Sequence, residues 1–119
     1  MKKKYLIELG SGVDMHGADM TKAAQRALRD AISHCSMAGL RDLAGVTEFL
    51  KQVSLEVVLA APDPEAVDLA EALKGLPPYE QLDVKVVQGG LLLPNESLTG
   101  GKADPIAVVN AAVTVFVDV

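Results

Sequence analysis

The chain has 119 residues, a formal charge of −5, and 50% hydrophobic against 23% charged side chains. That length suits a single domain, 1–119, able to bury a two-layer core, and the acidic balance, with a pI near 4.9, excludes the basic face that nucleic acid requires. The basic run Lys2-Lys3-Lys4 precedes too short an apolar stretch for a signal peptide, no run approaches a membrane span, and Cys35 stands alone, so a cytoplasmic protein with neither membrane nor nucleic-acid partner is expected.

Residues 4–9 alternate as a strand, with Tyr5, Ile7 and Leu9 on one face and Leu6 and Glu8 on the other, and Gly10 is expected to end it. Residues 19–38 read as the main helix. Met20, Ala24, Ala27, Leu28, Ala31, Ile32, Cys35 and Ala38 recur every three or four positions as one apolar stripe. Asp19 is a fitting N-cap and Gly39 is placed to end the helix in a left-handed conformation. Lys22, Arg26, Arg29 and Asp30 occupy the opposite face, and Asp30 and His34 are spaced for an i,i+4 ion pair. Cys35, on the stripe, reads as an inert core thiol. Residues 40–52 hold at most a short helical turn.

Residues 53–60 alternate as a second strand, with Val53, Leu55, Val57 and Leu59 inward. Asp63-Pro64-Glu65 opens a second helix, which Lys74-Gly75 and Pro77-Pro78 close. Residues 82–88 form a third strand, broken by Gly89-Gly90. Residues 106–119, rich in β-branched side chains, form the last; a helical turn at its start, capped by Asp104, is the rival reading. The order β-α-β-α-β-β predicts an α+β two-layer sandwich: a four-stranded mixed sheet with two helices on one face. The apolar tail, 113–119, must be buried centrally or paired across a subunit boundary, so a homo-oligomer is expected.

One segment concentrates polar and glycine residues between a strand and a helix: Gly10-Ser11-Gly12-Val13-Asp14-Met15-His16-Gly17. Backbone N–H groups near a helix N-terminus can face an anion, and glycines let a ligand approach closely. Asp14 and His16 are two apart, so in extended chain they project to the same side. A carboxylate and an imidazole so placed are donors for a divalent metal, or the partners of an acid–base pair. Gly10, Gly12 and Gly17 would shape the loop, and Arg26 or Arg29 would take the anionic group of a small ligand. The spacing is not the dinucleotide fingerprint, whose third glycine would replace Met15, nor a P-loop. The plainer alternative is a structural turn, an Asp-x-His surface hydrogen bond and a solvated arginine face.

All eight positions of that segment fit the G-x-G-x-D-x-H-G signature of a small family of conserved hypothetical proteins of bacteria and plants, the "Lin" family of unknown function. The chain resembles it through the following helix, the Gly89-Gly90-Leu91 turn and the tail with Asn110-Ala111-Ala112-Val113. The resemblance implies where a site lies and leaves its use open. The segment is also similar to the start of methylerythritol cyclodiphosphate synthase, whose metal-binding Asp and His match Asp14 and His16; that enzyme's third ligand would fall on Arg26, which cannot ligate a metal. The element order resembles the C-terminal domain of the tubulin-like cell-division proteins. Two readings therefore stand. In one, the segment is a small-molecule or metal site, Asp14 and His16 acting, in an enzyme of unknown reaction. In the other, the chain is a non-catalytic oligomerising or ligand-sensing module in which the loop is structural.

Overall fold

A thirteen-residue strand near each end of the chain sets the frame. In the computed structural model, which describes Met1–Val119, β1 (Lys2–Asp14) is followed by α1 (Met20–Ser33) and the one-turn helices α2 (Gly39–Asp42) and α3 (Phe49–Gln52). Then come β2 (Val53–Ala61), a 3-10 turn (Pro64–Ala66), the one-turn helix α4 (Leu69–Ala72), β3 (Gln81–Gln88), β4 (Leu91–Leu93) and β5 (Ile106–Asp118). The sheet runs β1-β5-β2-β3. β5 is antiparallel to both neighbours, β2 is parallel to β3, and β4 pairs with the start of β5. The result is a mixed α+β fold with five strands and one long helix.

Four features depart from the sequence reading. β1 does not stop at Gly10 but runs to Asp14, because each residue from Leu6 onward finds a partner on β5. α1 stops at Ser33 rather than Ala38; Ser33, His34, Cys35 and Ser36 are weak helix formers, and Gly39 instead opens α2. The second helix shrinks to a 3-10 turn and α4. Val67 is extended, and the break is pinned by α1: Thr21 Oγ1 accepts from Asp68 N–H at 2.9 Å and donates to the Ala66 carbonyl at 3.4 Å. Finally, a fifth strand appears. β2 leaves β5 after Ala60 opposite Asn110, and β4 takes the vacated lane from Leu91 opposite Val108. Gly90 makes that step with φ of 69°, and a Cβ there would collide with the Val108 carbonyl oxygen. Residues 106–110 are strand, so the rival helical turn is not formed.

The tail is the middle of the sheet, not its edge. Its inward residues Val109, Val113, Val115 and Val117 meet Val53, Leu55, Val57 and Leu59 of β2 and the Ala23, Ala27 and Ala31 face of α1. Burying each such valine or leucine stabilises the fold by about 1.5–3 kcal/mol relative to exposure.

The opposite face of the sheet is open. Ile7, Leu9, Ser11 and Val13 stand across from Thr114, Ala112, Asn110 and Val108, with Val58 and Ala60 beyond. Ile7 is 57% and Leu9 72% exposed. Charges appear only toward one end, where Lys2 lies 3.7 Å from Glu56, and on β3, at Asp83 and Lys85. The free edge of β1 is guarded: Ser11 N–H donates to Asp30 at 2.9 Å, and the Val13 carbonyl accepts from Arg26 at 2.5 Å. Such side-chain caps blunt strand pairing between molecules. No helix is long and apolar enough to cross a membrane.

Candidate functional site

Alternation along β1 divides the 10–17 segment between two surroundings. Gly10 and Gly12 point at α1. A Cβ on Gly10 would strike the backbone of Ala27 and Ala31, and one on Gly12 the backbone of Ala23 and Ala27. These glycines let the strand and helix backbones touch through an all-alanine helix face. Gly12 is buried and Gly10 partly so, both turned toward the helix backbone.

Asp14 continues the same inward row and is buried. Its Oδ2 accepts from Asp19 N–H at 2.7 Å, and its Oδ1 lies 3.6 Å from Arg26 Nη1. Asp19 in turn accepts from Thr21 and Lys22 N–H at 3.0 and 3.1 Å, the N-cap its sequence position predicts. Asp14 thus fixes the turn between β1 and α1. Arg26, bonded to the Val13 carbonyl as well, serves the same turn.

His16 projects outward, with an 80% exposed side chain. Its Nδ1 is 2.7 Å from Asp104 Oδ2, while Asp104 Oδ1 accepts from Gly17 N–H at 2.8 Å. Gly17 has φ of 85° and Ala18 of 50°, so the chain passes through two left-handed residues to reach Asp19. The hydrogen bond to Asp104, then its charge, raise the His16 pKa above the ordinary imidazole value. The same bond, followed by that from Gly17, lowers Asp104. Asp104 caps a helix only in the rival reading of the tail; what assigns it to His16 is the antiparallel pairing of Asp14 with Ala107, which carries the residues before β5 to the loop.

Asp14 and His16 are therefore committed to different partners. No three His, Cys, Asp or Glu side chains are grouped to hold a metal ion. Arg29 lies apart from the segment, in a cavity of about 300 Å³ between α1 and the stretch after α4, with Gln25, Leu28, Ile32, Lys74 and Leu76. His34 and Asp30 do form the i,i+4 pair, at 2.9 Å.

The sequence reading passed over Glu8. It shares the inward face with Gly10, Gly12 and Asp14, is only 9% exposed and sits in a second cavity of about 160 Å³ with Cys35, Tyr79, Leu55 and Val113. Burial raises its pKa above the ordinary carboxylate value, a hydrogen bond with the Cys35 thiol acting the other way. The period-two spacing 8-10-12-14 was the available signal. Cys35 itself is exposed at the mouth of that cavity rather than packed in the core, because the helix ends before reaching it.

No curated protein matches the chain. A crystal structure described as an FtsZ-like protein of unknown function, from Nostoc punctiforme, is similar to it with 34% identity and a TM-score of 0.85, over 99% of this chain and 98% of that one. The model of a family of conserved hypothetical proteins, Lin0512, matches residues 4–115. The chain belongs to that family, whose function is not established.

Proposed function

We propose that the chain is a self-associating module in which the 10–17 segment is a framework element and the open sheet face receives a second copy. The observation that carries this is surplus surface. The chain exposes 7165 Å², whereas a folded monomer of 12.5 kDa exposes about 6,200 Å². The excess, roughly 1,000 Å², is what one partner contributes to a stable interface, about 800 Å². The shape agrees. The molecule measures 58 × 24 × 20 Å with a radius of gyration of 16.5 Å, against about 13.5 Å for a compact domain of this length.

A half-solvated antiparallel sheet normally alternates polar side chains outward. Here the outward row of β1 is charged only at its start, at Lys2 and Lys4, and from Ile7 through Leu9 and Ser11 to Val13 it carries no charge. The β1 edge is capped by Asp30 and Arg26, which favours packing face to face over strand addition. Multi-angle light scattering on a sizing column tests the reading. The expected mass is twice the 12.5 kDa of the chain or a higher multiple. Leu9→Asp, which sets a charge in the middle of the face, should yield a folded single chain. A wild-type mass of one chain throughout the micromolar range overturns the proposal.

A second reading keeps the loop as a small-molecule or metal site, in an enzyme of unknown reaction. It is favoured by the bond from Asp104 to His16 Nδ1, which leaves Nε2 outward without a protein partner. An imidazole oriented by a carboxylate is the arrangement used for proton transfer and for metal ligation. Native mass spectrometry and elemental analysis of wild type and His16→Ala distinguish the readings. A metal or small ligand lost with His16 supports the site; identical spectra support the framework role.

A further inference from the structure

One polar line crosses the middle of the open, apolar sheet face. Asn110 lies on β5, the strand between β1 and β2, and its register partners are Ser11 on β1 and Ala60 on β2. Its neighbours Val109 and Ala111 are buried in the core, so Asn110 projects from the open face, where it is exposed. Ser11 projects the same way, between the inward Gly10 and Gly12. Registered residues share a face with Cβ atoms about 5 Å apart, so a carboxamide and a hydroxyl stand side by side. Neither side chain has a hydrogen-bond partner within the chain; Ser11 is tied to Asp30 through its backbone N–H. The next row toward β4 is Val13, Val108 and Leu91, and the next row the other way is Leu9, Ala112 and Val58. The one charge on β2, Glu56, lies farther off, level with Thr114.

Apolar contact is non-directional, so two such faces would pack nearly as well after sliding by one pair of residues, about 7 Å along the strands. A buried polar group does discriminate, because it needs a partner when water leaves. A carboxamide both donates and accepts, so it can pair with a copy of itself, and a closed dimer presents the same patch from both subunits. Building on face-to-face self-association, we infer that Asn110 sets the register of the two copies. A twofold axis lying between the sheets at Asn110 brings the polar row onto its own copy, where each carboxamide bonds the partner's Asn110 or the partner's Ser11. Apolar rows then meet apolar rows on both sides. After a slide the carboxamide faces the partner's Val108 or the partner's Ala112 and loses water without gaining a bond. The small side chains of Ser11, Ala60 and Ala112 around it leave room for two carboxamides between the sheets. One asparagine in an apolar seam fixes the pairing of coiled coils for the same reason.

The test mixes ¹⁵N-labelled and ¹³C-labelled protein and records NMR cross-peaks between differently labelled copies. The expected result is cross-peaks from the Asn110 side-chain amide of one copy to side-chain protons of Asn110 and Ser11 of the other, lost in Leu9→Asp. Asn110→Val, a change to a residue that suits a strand, should keep the multiple-chain mass in light scattering. Its amide signals along β1 and β5 should split or broaden as registers mix. A multiple-chain wild type without the cross-peaks overturns the inference and leaves the assembly reading standing. So does an Asn110→Val protein with a single sharp set of signals. A wild-type mass of one chain overturns both, so the two failures are distinguishable.

Discussion

One strand, β1, carries two surfaces with opposite designs. Its inward row, Glu8, Gly10, Gly12 and Asp14, is small or polar and is pressed against α1. Its outward row, Ile7, Leu9, Ser11 and Val13, is larger and mostly aliphatic and meets solvent. A simple hydrophobic-inside rule would exchange them. The inward row is small because the alanine face of α1 approaches to backbone contact, which leaves no room for a Cβ. The outward row then has no layer of the same chain to cover it. Close approach on one side and unmet burial on the other are consequences of one long helix covering one face of the sheet, with no second layer of the same chain on the other.

The largest effect that could break this comparison is at Gly12. Gly12→Ala should lower the unfolding free energy by about 3 kcal/mol or more, because neither backbone can yield without separating strand from helix. Gly75→Ala, where a Cβ meets open space, should stay within about 0.5 kcal/mol of wild type. Urea denaturation measures both; equal values would mean that β1 and α1 are not in contact as described. Next is Asp14→Ala, which strands the Asp19 N–H and removes a partner of Arg26. A loss of about 1–3 kcal/mol is expected, with His16→Ala costing far less. The reverse order would make the outward imidazole the structural member of the pair.

The smallest effect sharpens the picture at the loop. His16 is raised, so its contribution is complete below its ordinary value of 6.5 and is lost as pH climbs through its folded value. Asp104 is lowered, so its contribution is present above its ordinary value of 3.8 and is lost as pH falls through its folded value. The tie between loop and β5 is therefore tightest from pH 3.8 to 6.5. In an NMR titration, Asp104→Asn should return the His16 midpoint toward 6.5; an unmoved midpoint would show that Asp104 does not hold the imidazole.

What the sequence determined by itself is local. The inward set of β2, the N-cap at Asp19, the Asp30–His34 pair and the four regular strands were legible because each depends on neighbours within about four residues, where helix and strand periodicities operate. Tertiary structure decided the rest. The tail lies between β1 and β2, although it is last in sequence, because a strand buried on both edges is the best place for its valines. Gly10 and Gly12 serve packing because of a helix backbone many residues downstream, Asp104 reaches His16 across a separation of 88 residues, and Glu8 meets Tyr79, Leu55 and Val113 in one cavity only once α1 lies on the sheet. No local pattern encodes such pairings; they follow from strand register and from which face the one long helix covers.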